Sequence, residues 1–417
     1  MPKITKVKSR QVFDSRGLPT VETDVLLQDG SIGSAIVPSG ASTGSYEANE
    51  LRDKDPKYLN KSVFNAIENV NNKIEKNIKN FDSLDQENID KILIDLDGTK
   101  NKSKLGANAI LSVSIANCKA AAKSTNKEIF QYLSKNKNYK LPYPLMNIIN
   151  GGVHANNSLN IQEFMIRPDG AKNYQECMQF AFLTIQNLKK FLENQNFSTC
   201  VGDEGGFAPN LNSDEEAIEL IIEAIKKSGF EPGKDISICL DIASNEIFDG
   251  KKYSFINDKS ITSDNLIRYY KTLVNKYPIK SIEDPIFEDD WNSWSKLTDV
   301  IGKNVQIVGD DLFVTNYQRL TKGIQEKSAN SILIKLNQIG TVTETLKTIN
   351  LAQSRNFKTI ISHRSGDSED TFISDFAIAT NSNQIKTGSL ARSERVAKYN
   401  RMLRIEELLN NPGMQKL

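Results

Sequence analysis

The sequence predicts two domains of the α/β class: a smaller N-terminal α+β domain, followed by a (β/α)8 TIM-like barrel. The chain has 417 residues, more than one average domain. Roughly its first third places strand patterns before helix patterns, an order typical of α+β domains. Beyond that part, short runs rich in β-branched residues alternate with longer amphipathic stretches, which indicates βα units with parallel strands.

Residues 3–38 carry the strand pattern of the N-terminal domain. Hydrophobic and β-branched side chains alternate on one face, at Val21, Thr23, Val25 and Leu27. Asp29-Gly30 follows and predicts a hairpin turn before the next strand.

Three helices are predicted after these strands. Apolar residues recur at three- and four-residue spacing from Val63 to Ile78 and again from Ile89 to Leu96, ahead of Gly98 as a C-terminal cap. A third helix is expected from Ala107 to Ala122. Prolines and glycines then interrupt the pattern in LPYPLMNIINGG, and we place the domains at residues 1–138 and 139–417.

Seven successive apolar runs in the second part each end in a charged or titratable residue, at intervals of 23 to 42 residues. Each interval is long enough for one strand, one helix and two loops. The C-terminal ends of barrel strands meet at one mouth, where catalytic groups gather. We therefore expect these end residues to converge: Glu204, Asp241, Glu283, Asp310, Lys335, His363 and Lys386.

Asp241, Glu283 and Asp310 close three consecutive runs and predict a metal site. Three carboxylates without a nearby cysteine or histidine suit a hard cation such as Mg²⁺. The alternative is that each acid caps the following helix.

Lys335 and Glu204 are the candidate base and acid. Lys335 lies in the apolar segment SILIKLNQIG, where desolvation and nearby cations favour a neutral amine and carboxylates oppose it. It could instead be an edge residue whose ammonium reaches solvent. Glu204 precedes two glycines that would let the backbone approach a ligand, although a glycine-rich turn with solvated acids is the alternative.

Two further segments predict anion binding. ISHRSG places a bidentate donor, Arg364, beside the Ser365 hydroxyl. PSGASTGSYE contains Ser42 and either forms a flexible turn or folds over an anion and offers oxygens to a metal; it lacks the lysine of an ATPase phosphate loop. The only two histidines are His154 and His363, each of which could also be a structural imidazole.

Composition limits the possible partners and the compartment. The formal net charge of +1 gives no reason to expect nucleic acid or an anionic membrane. No apolar run is long enough for a membrane span, and the N-terminus has no secretory pattern. Four widely spaced cysteines predict neither a zinc site nor a disulfide framework, so we expect a cytoplasmic protein.

The chain resembles enolases along nearly its whole length. The motifs that carry the resemblance occur in order: DSRGLPTVE, SGASTGSYEA, MNIINGGVHANN, IQEFMI, VGDEGGFAPN, SIEDP, VGDDLFVTN, ILIKLNQIG, ISHRSGDSEDT and QIKTGS. The resemblance implies an N-terminal domain that covers the mouth of a barrel opening with an antiparallel hairpin. It also implies reversible dehydration of 2-phosphoglycerate to phosphoenolpyruvate.

Site roles follow from the resemblance, position by position. It implies Asp241, Glu283 and Asp310 as ligands of a first Mg²⁺ and Ser42 as a ligand of a second, which binds with substrate. Lys335 would be the base at C2 and Glu204 the acid at the C3 hydroxyl. The remaining substrate-site residues would be Glu163 supporting Glu204, Arg364 and Ser365 at phosphate, Lys386 at carboxylate, and both histidines. Glu163 would raise the pKa of Glu204.

The resemblance further implies a homodimer, possibly an octamer, with Glu22–Arg404 and Arg10–Glu407 as ion pairs between subunits. The chain departs from the family pattern at Leu18, at Asn245 and Ile247, and in a short C-terminus. Two other functions stay open at this point: a related acid-sugar dehydratase or racemase on the same barrel, and a scaffold or surface-binding protein derived from an enolase.

Overall fold

The computed structural model describes residues 1–135, 137–254 and 260–417. Its N-terminal part contains a three-stranded antiparallel sheet of β1 (Ile4–Phe13), β2 (Pro19–Leu27) and β3 (Ile32–Ile36). The predicted hairpin is confirmed, because β2 pairs with β3 through a turn in which Gly30 has a φ of +86°. Glycine accepts this left-handed backbone without steric cost.

The three predicted helices of this domain are also confirmed. The first is one helical segment made of α1 (Phe64–Glu68), a π-helical turn (Asn69–Ile74) and α2 (Glu75–Ile78). α3 (Gln86–Asp97) ends at Gly98, whose φ is +68°. α4 (Ala107–Ser124) is almost wholly buried and packs on the sheet. The N-terminal part also contains a short 3₁₀ helix (Pro56–Tyr58) and α5 (Ile129–Leu133).

The second part contains a closed eight-stranded barrel, as predicted. Its strands in chain order are β4 (Tyr143–Asn150), β5 (Glu163–Arg167), β6 (Ser237–Asp241), β9 (Ile279–Glu283), β10 (Gln306–Gly309), β11 (Ser331–Ile334), β12 (Lys358–Ser362) and β13 (Gln384–Lys386). A two-stranded ribbon, β7 (Tyr253–Ser254) and β8 (Ser260–Ile261), lies between β6 and β9 in the chain. β5 is antiparallel to β4 and β6, and the other neighbouring barrel strands are parallel. The antiparallel opening that the resemblance implies is confirmed.

One expectation about strand positions is wrong, and one strand was not predicted. LPYPLMNIINGG, which was expected to interrupt the pattern near the domain boundary, contains β4, whose residues are all buried. Glu204 does not end a strand but lies in the loop between the sixth and seventh helices, where Val201 makes only an isolated bridge. In a sequence, prolines and glycines that flank a buried strand look the same as those of a linker. A short apolar run in a loop likewise has the same pattern as a strand.

The other six predicted strand ends are confirmed. Asp241, Glu283 and Lys386 are the last residues of their strands. The residues Asp310, Lys335 and His363 directly follow β10, β11 and β12.

Helices surround the barrel. They are α6 (Tyr174–Asn194), α7 (Asp214–Lys227), α8 (Ser263–Lys276), α9 (Trp291–Ile301), α10 (Tyr317–Glu326), α11 (Leu336–Ile339), α12 (Val342–Ser354), α13 (Phe372–Ala379) and α14 (Ser393–Leu408), with 3₁₀ turns at Gly152–His154 and Ser244–Ile247. Side chains fill the barrel interior with a separate buried cluster of Leu145, Met165, Cys239, Val308, Leu333 and Ile360. Among the described residues, no helix has both the length and the apolar character to cross a membrane.

Hydrogen bonds attach the N-terminal part to the barrel. The Thr343 N–H at the start of α12 donates to the buried Asp90 carboxylate over 2.9 Å, and the Val342 N–H donates to Ser114 over 3.0 Å. Ser39 and Gly366 exchange two backbone hydrogen bonds of 2.8 and 2.9 Å. The second contact brings the segment at residues 38–47, called the covering loop below, to the barrel mouth.

Candidate active site

A cavity lies at the C-terminal ends of the barrel strands, beneath the covering loop. Eleven of the twelve predicted site residues line it: Ser42, His154, Glu163, Glu204, Asp241, Asp310, Lys335, His363, Arg364, Ser365 and Lys386. The twelfth, Glu283, lies directly behind Lys386 and is hydrogen-bonded to it. Residues more than 340 positions apart in the sequence therefore meet in one cavity.

Lys386 lies among three buried carboxylates. Its Nζ is 3.0 Å from Asp241, 2.9 Å from Glu283 and 3.1 Å from Glu163. Burial lowers the pKa of Lys386, but these carboxylates outweigh it and hold that pKa well above its usual value. Burial and the charge of Asp241 raise the pKa of Glu283. This group thus gathers more negative charge than one ammonium balances.

Lys335 forms an ion pair with Asp310 across the ends of β10 and β11. The other Asp310 oxygen accepts a hydrogen bond of 2.8 Å from Gln338. Burial lowers the pKa of Lys335, but Asp310 and Glu283 together outweigh it, so the pKa is raised and the ammonium form is favoured in this state. The sequence predicted two opposing effects on the pKa of Lys335. The carboxylates raise this pKa by more than burial and the neighbouring cations lower it.

Asp284 supports the same strand ends and was missed by the sequence pattern. Its two carboxylate oxygens accept the backbone N–H groups of Asp310, over 2.9 Å, and Asp311, over 2.8 Å. Carboxylate oxygens of Asp284, Asp310 and Asp311 lie within 4.8 Å of one another. The only signal in the sequence is its position directly after Glu283, and no local pattern separates it from a helix cap.

The residues present fit a divalent cation. Asp241, Glu283 and Asp310 end or follow the adjacent strands β6, β9 and β10 and offer only oxygen ligands. Burial and neighbouring acids together raise the pKa of Glu283, Asp284 and Asp311, because negative charges crowd a region shielded from water. A bound cation would relieve this repulsion.

Glu204 and Glu163 share a second part of the cavity with both histidines. Nδ1 of His154 is 3.6 Å from Glu163 and 3.8 Å from Glu204. Nε2 of His363 is 3.5 Å from Glu204, which also accepts a hydrogen bond of 3.2 Å from Asn147. Asn147 was not predicted, since an amide inside an apolar strand carries no distinctive pattern.

The two carboxyl groups titrate in the opposite order to that expected. Burial and the charge of Glu204 hold the pKa of Glu163 well above its usual range. Burial also raises the pKa of Glu204, but His154 and His363 outweigh it and lower that pKa well below its usual range. The pKa of Glu204 is therefore lowered rather than raised, in contrast to the expectation.

Arg364 and Ser365 hold the covering loop. One Arg364 Nη donates to the Ser42 carbonyl over 3.0 Å, and the other donates to Glu47 over 2.9 Å. The Ala41 N–H donates to the Ser365 hydroxyl over 2.6 Å. A Cβ at Gly40 would lie 1.9 Å from the guanidinium, which explains the need for glycine there. In this state the predicted anion-binding pair is bonded to the loop.

The departures from the family pattern are accommodated. Leu18 takes part through its backbone, donating to Asp14 over 2.9 Å, so its side chain is not needed to form the turn. Asn245 donates to Asp311 over 2.9 Å and accepts the Glu288 N–H over 3.0 Å. Ile247 packs against the core.

Comparisons with known proteins cover almost the full chain. Residues 4–133 match the family model "Enolase, N-terminal domain", and residues 138–415 match "Enolase, C-terminal TIM barrel domain". A curated relative, the enolase of Pelagibacter ubique (strain HTCC1062), is 60% identical over 410 residues, covering 98% of this chain and 98% of the relative.

Proposed function

The chain belongs to the enolase family and is a phosphopyruvate hydratase, and we propose that Lys335 and Glu204 carry the two proton transfers of its reaction. The reaction removes water from 2-phosphoglycerate to form phosphoenolpyruvate, or adds water in reverse. The observation that carries the proposal is one buried cavity containing a lysine amine, a Glu163–Glu204 carboxyl pair and the Arg364–Ser365 pair.

Removal of the C2 proton is the first step, and Lys335 is its proposed base. A proton beside a carboxylate is weakly acidic, because its loss places a second negative charge on that carboxylate. Asp241, Glu283 and Asp310 would hold a divalent cation, which would supply positive charge to stabilise this second negative charge, a chemistry already known for enolase-superfamily sites. Burial, Arg364 and Lys386 lower the pKa of the Lys335 amine, whereas Asp310 and Glu283 raise it, so neutralising the charge of these two carboxylates would favour the neutral base.

Protonation of the C3 hydroxyl is the second step, and Glu204 is its proposed donor. The acid must carry a proton when the hydroxyl leaves. In the structure the pKa of Glu163 is raised and that of Glu204 is lowered, and both carboxyl groups lie beside His154. We propose that Glu204 takes up a proton when substrate binds, since a dianionic or trianionic ligand raises the pKa of every nearby acid.

The remaining site residues bind substrate in this proposal. Arg364 is planar and bidentate, which suits phosphate, and Ser365 adds a hydroxyl donor. Lys386 places a fixed positive charge beside the proposed metal ligands and suits the substrate carboxylate. His154 and His363 border the carboxyl pair, and Ser42 on the covering loop joins a second metal ion.

Magnesium is the proposed metal, with two ions per site, because all the candidate ligands are oxygen atoms. We also propose a cytoplasmic homodimer, possibly assembled into octamers, with domains at 1–138 and 139–417. Within the chain, Arg10 pairs with Glu22 and Asp24, so this ion pair would have to open or be shared for the proposed contacts between subunits.

A coupled assay of 2-phosphoglycerate turnover tests the proposal. Folded, Mg²⁺-loaded protein should form phosphoenolpyruvate, and turnover should disappear on chelation and return with Mg²⁺. Absence of turnover above background in folded, metal-loaded protein would remove the proposed function. Preferred turnover of a non-phosphorylated hydroxy acid would replace it with the acid-sugar dehydratase alternative.

A further inference from the structure

Arg395 joins two segments of the active site, Asp203–Glu204 and His363–Ser365, from behind. It lies in the first turn of α14, is fully buried, and does not line the cavity. One terminal nitrogen donates to Nδ1 of His363 and to the Arg364 carbonyl, both over 2.6 Å. The other donates to the Ser365 carbonyl over 2.6 Å and to the Asp203 carbonyl over 3.1 Å. One guanidinium thus holds both the segment that carries the proposed acid and the proposed phosphate-binding pair.

The chemistry of arginine determines the protonation of His363. A guanidinium has only donors and stays charged at every ordinary pH. Nδ1 of His363 must therefore be the acceptor, and the ring proton must be on Nε2. Burial also lowers the pKa of His363 to about 4. A ring protonated at both nitrogens would place two cations in hydrogen-bond contact.

The other charged groups around the ring agree with this assignment. Glu204 faces the Nε2 side at 3.5 Å. Asp367 lies 3.8 Å from the Arg395 guanidinium and accepts a hydrogen bond of 2.6 Å from Lys398. Nε2 has no hydrogen-bond partner among the described residues and lines the cavity. The Nε2 proton is therefore available to Glu204 or to a ligand oxygen.

We propose that Arg395 is a positioning residue that fixes His363 as the neutral tautomer with the proton on Nε2 and holds the Asp203–Glu204 segment against Arg364–Ser365. The inference rests on the proposed function for its catalytic consequence but not for its structural content. A lysine could supply one donor to Nδ1, but it could not span the three backbone carbonyls, which need a planar fork.

Nuclear magnetic resonance can read the tautomer directly, since the chain has only two histidines. In uniformly ¹⁵N-labelled protein at pH 7.5, the His363 ring is assigned by comparison with His154→Gln. We expect an unprotonated Nδ1 and a protonated Nε2, with and without Mg²⁺. A ring protonated at Nδ1, or averaging between tautomers, would overturn the proposal. This measurement needs no turnover, so it separates failure of the inference from failure of the proposed function.

Two variants of Arg395 test the consequence. Arg395→Met removes every donor, and we expect His363 to sample both tautomers and kcat to fall about 10- to 100-fold, with KM within about threefold of the wild type. Arg395→Lys restores one charged donor, so it should recover the tautomer and part of the loss in kcat. A folded Arg395→Met protein with an unchanged tautomer and kcat would contradict the proposal.

Arg401→Met is the matched control. Arg401 lies on the same helix and pairs with Asp375 and Glu128, away from the cavity. It should show the stability loss of a broken ion pair while leaving the His363 tautomer and kcat unchanged. An equal loss of kcat in this control would mean that Arg395 acts only through stability. If Arg395→Met does not fold, the wild-type tautomer and Arg395→Lys decide the question.

Discussion

Asp284→Ala should destabilise the protein and weaken its metal site, although Asp284 is not a predicted metal ligand. The carboxylate accepts the backbone N–H groups of Asp310 and Asp311, and its own N–H donates to the Val308 carbonyl over 3.0 Å. It therefore ties the end of β9 to the residue that follows β10. Alanine would leave two buried donors without an acceptor and would free Asp310 to move.

The expected magnitude follows from those two donors. An unsatisfied buried donor costs about 1–3 kcal/mol, so the free energy of unfolding should fall by about 2–6 kcal/mol. At about 2–4 °C per kcal/mol, the melting temperature should fall by about 4–24 °C. Asp284→Asn keeps one acceptor oxygen and removes a charge that repels Asp310 and Asp311, so its loss should be smaller. Metal affinity of the alanine variant should drop about 10- to 100-fold.

Thermal melting and calorimetric titration with Mg²⁺ measure the two effects. Asp249→Ala is a matched control, because the Asp249 carboxylate also accepts two backbone N–H groups, at 2.8 and 2.7 Å, but is open to water. Water can replace that carboxylate, so this variant should melt like the wild type. An Asp284→Ala protein with wild-type melting temperature and metal affinity would refute the role of Asp284 as a support for the strand ends.

Three other substitutions test separate parts of the site, and one tests the domain contact. Lys335→Ala should lower kcat at least about 10²- to 10⁴-fold, while Mg²⁺ affinity is retained because Asp310 loses a competing partner; ordinary turnover would contradict its role as base. Glu204→Gln should stop dehydration but preserve exchange of the C2 proton with deuterated water, and parallel loss of both activities would count against separate acid and base. Asn245→Ser, too short to reach both Asp311 and the Glu288 N–H, should cost about 0.5–1.5 kcal/mol, measured as a lower melting temperature; no change would mean that these bonds contribute nothing net. Burial raises the pKa of Asp90, so wild-type stability should fall as pH rises from the unfolded value near 3.8 through the raised folded value; Asp90→Asn should lack this slope, and identical pH profiles of the two proteins would contradict it.

Local patterns in the sequence predict most of the elements that carry the site. Alternation and helical spacing identify β2 and the helices after it, and charged residues after apolar runs identify six barrel strand ends, including Asp241 and Lys335. These patterns work because burial of one face repeats with the period of each element. The covering loop and the motifs around it then identify the family.

The same patterns do not predict a residue's role where that role depends on side chains that are distant in the sequence but close in space. Glu204 occupies a loop rather than a strand end, and Asp284, Asn147 and Arg395 have no signature that separates them from ordinary polar residues. The direction of the Glu204 pKa shift was also missed, because two histidines from different segments lie beside Glu204 and lower its pKa.

The sequence by itself determined the class of fold, the family and the residue types available for catalysis. Only the tertiary structure decided which charges face each other, which groups share a hydrogen-bond donor and which pKa values are raised or lowered. The physical reason is distance: side-chain periodicity is a property of neighbours along the chain, whereas electrostatic and hydrogen-bond energies depend on separations in space.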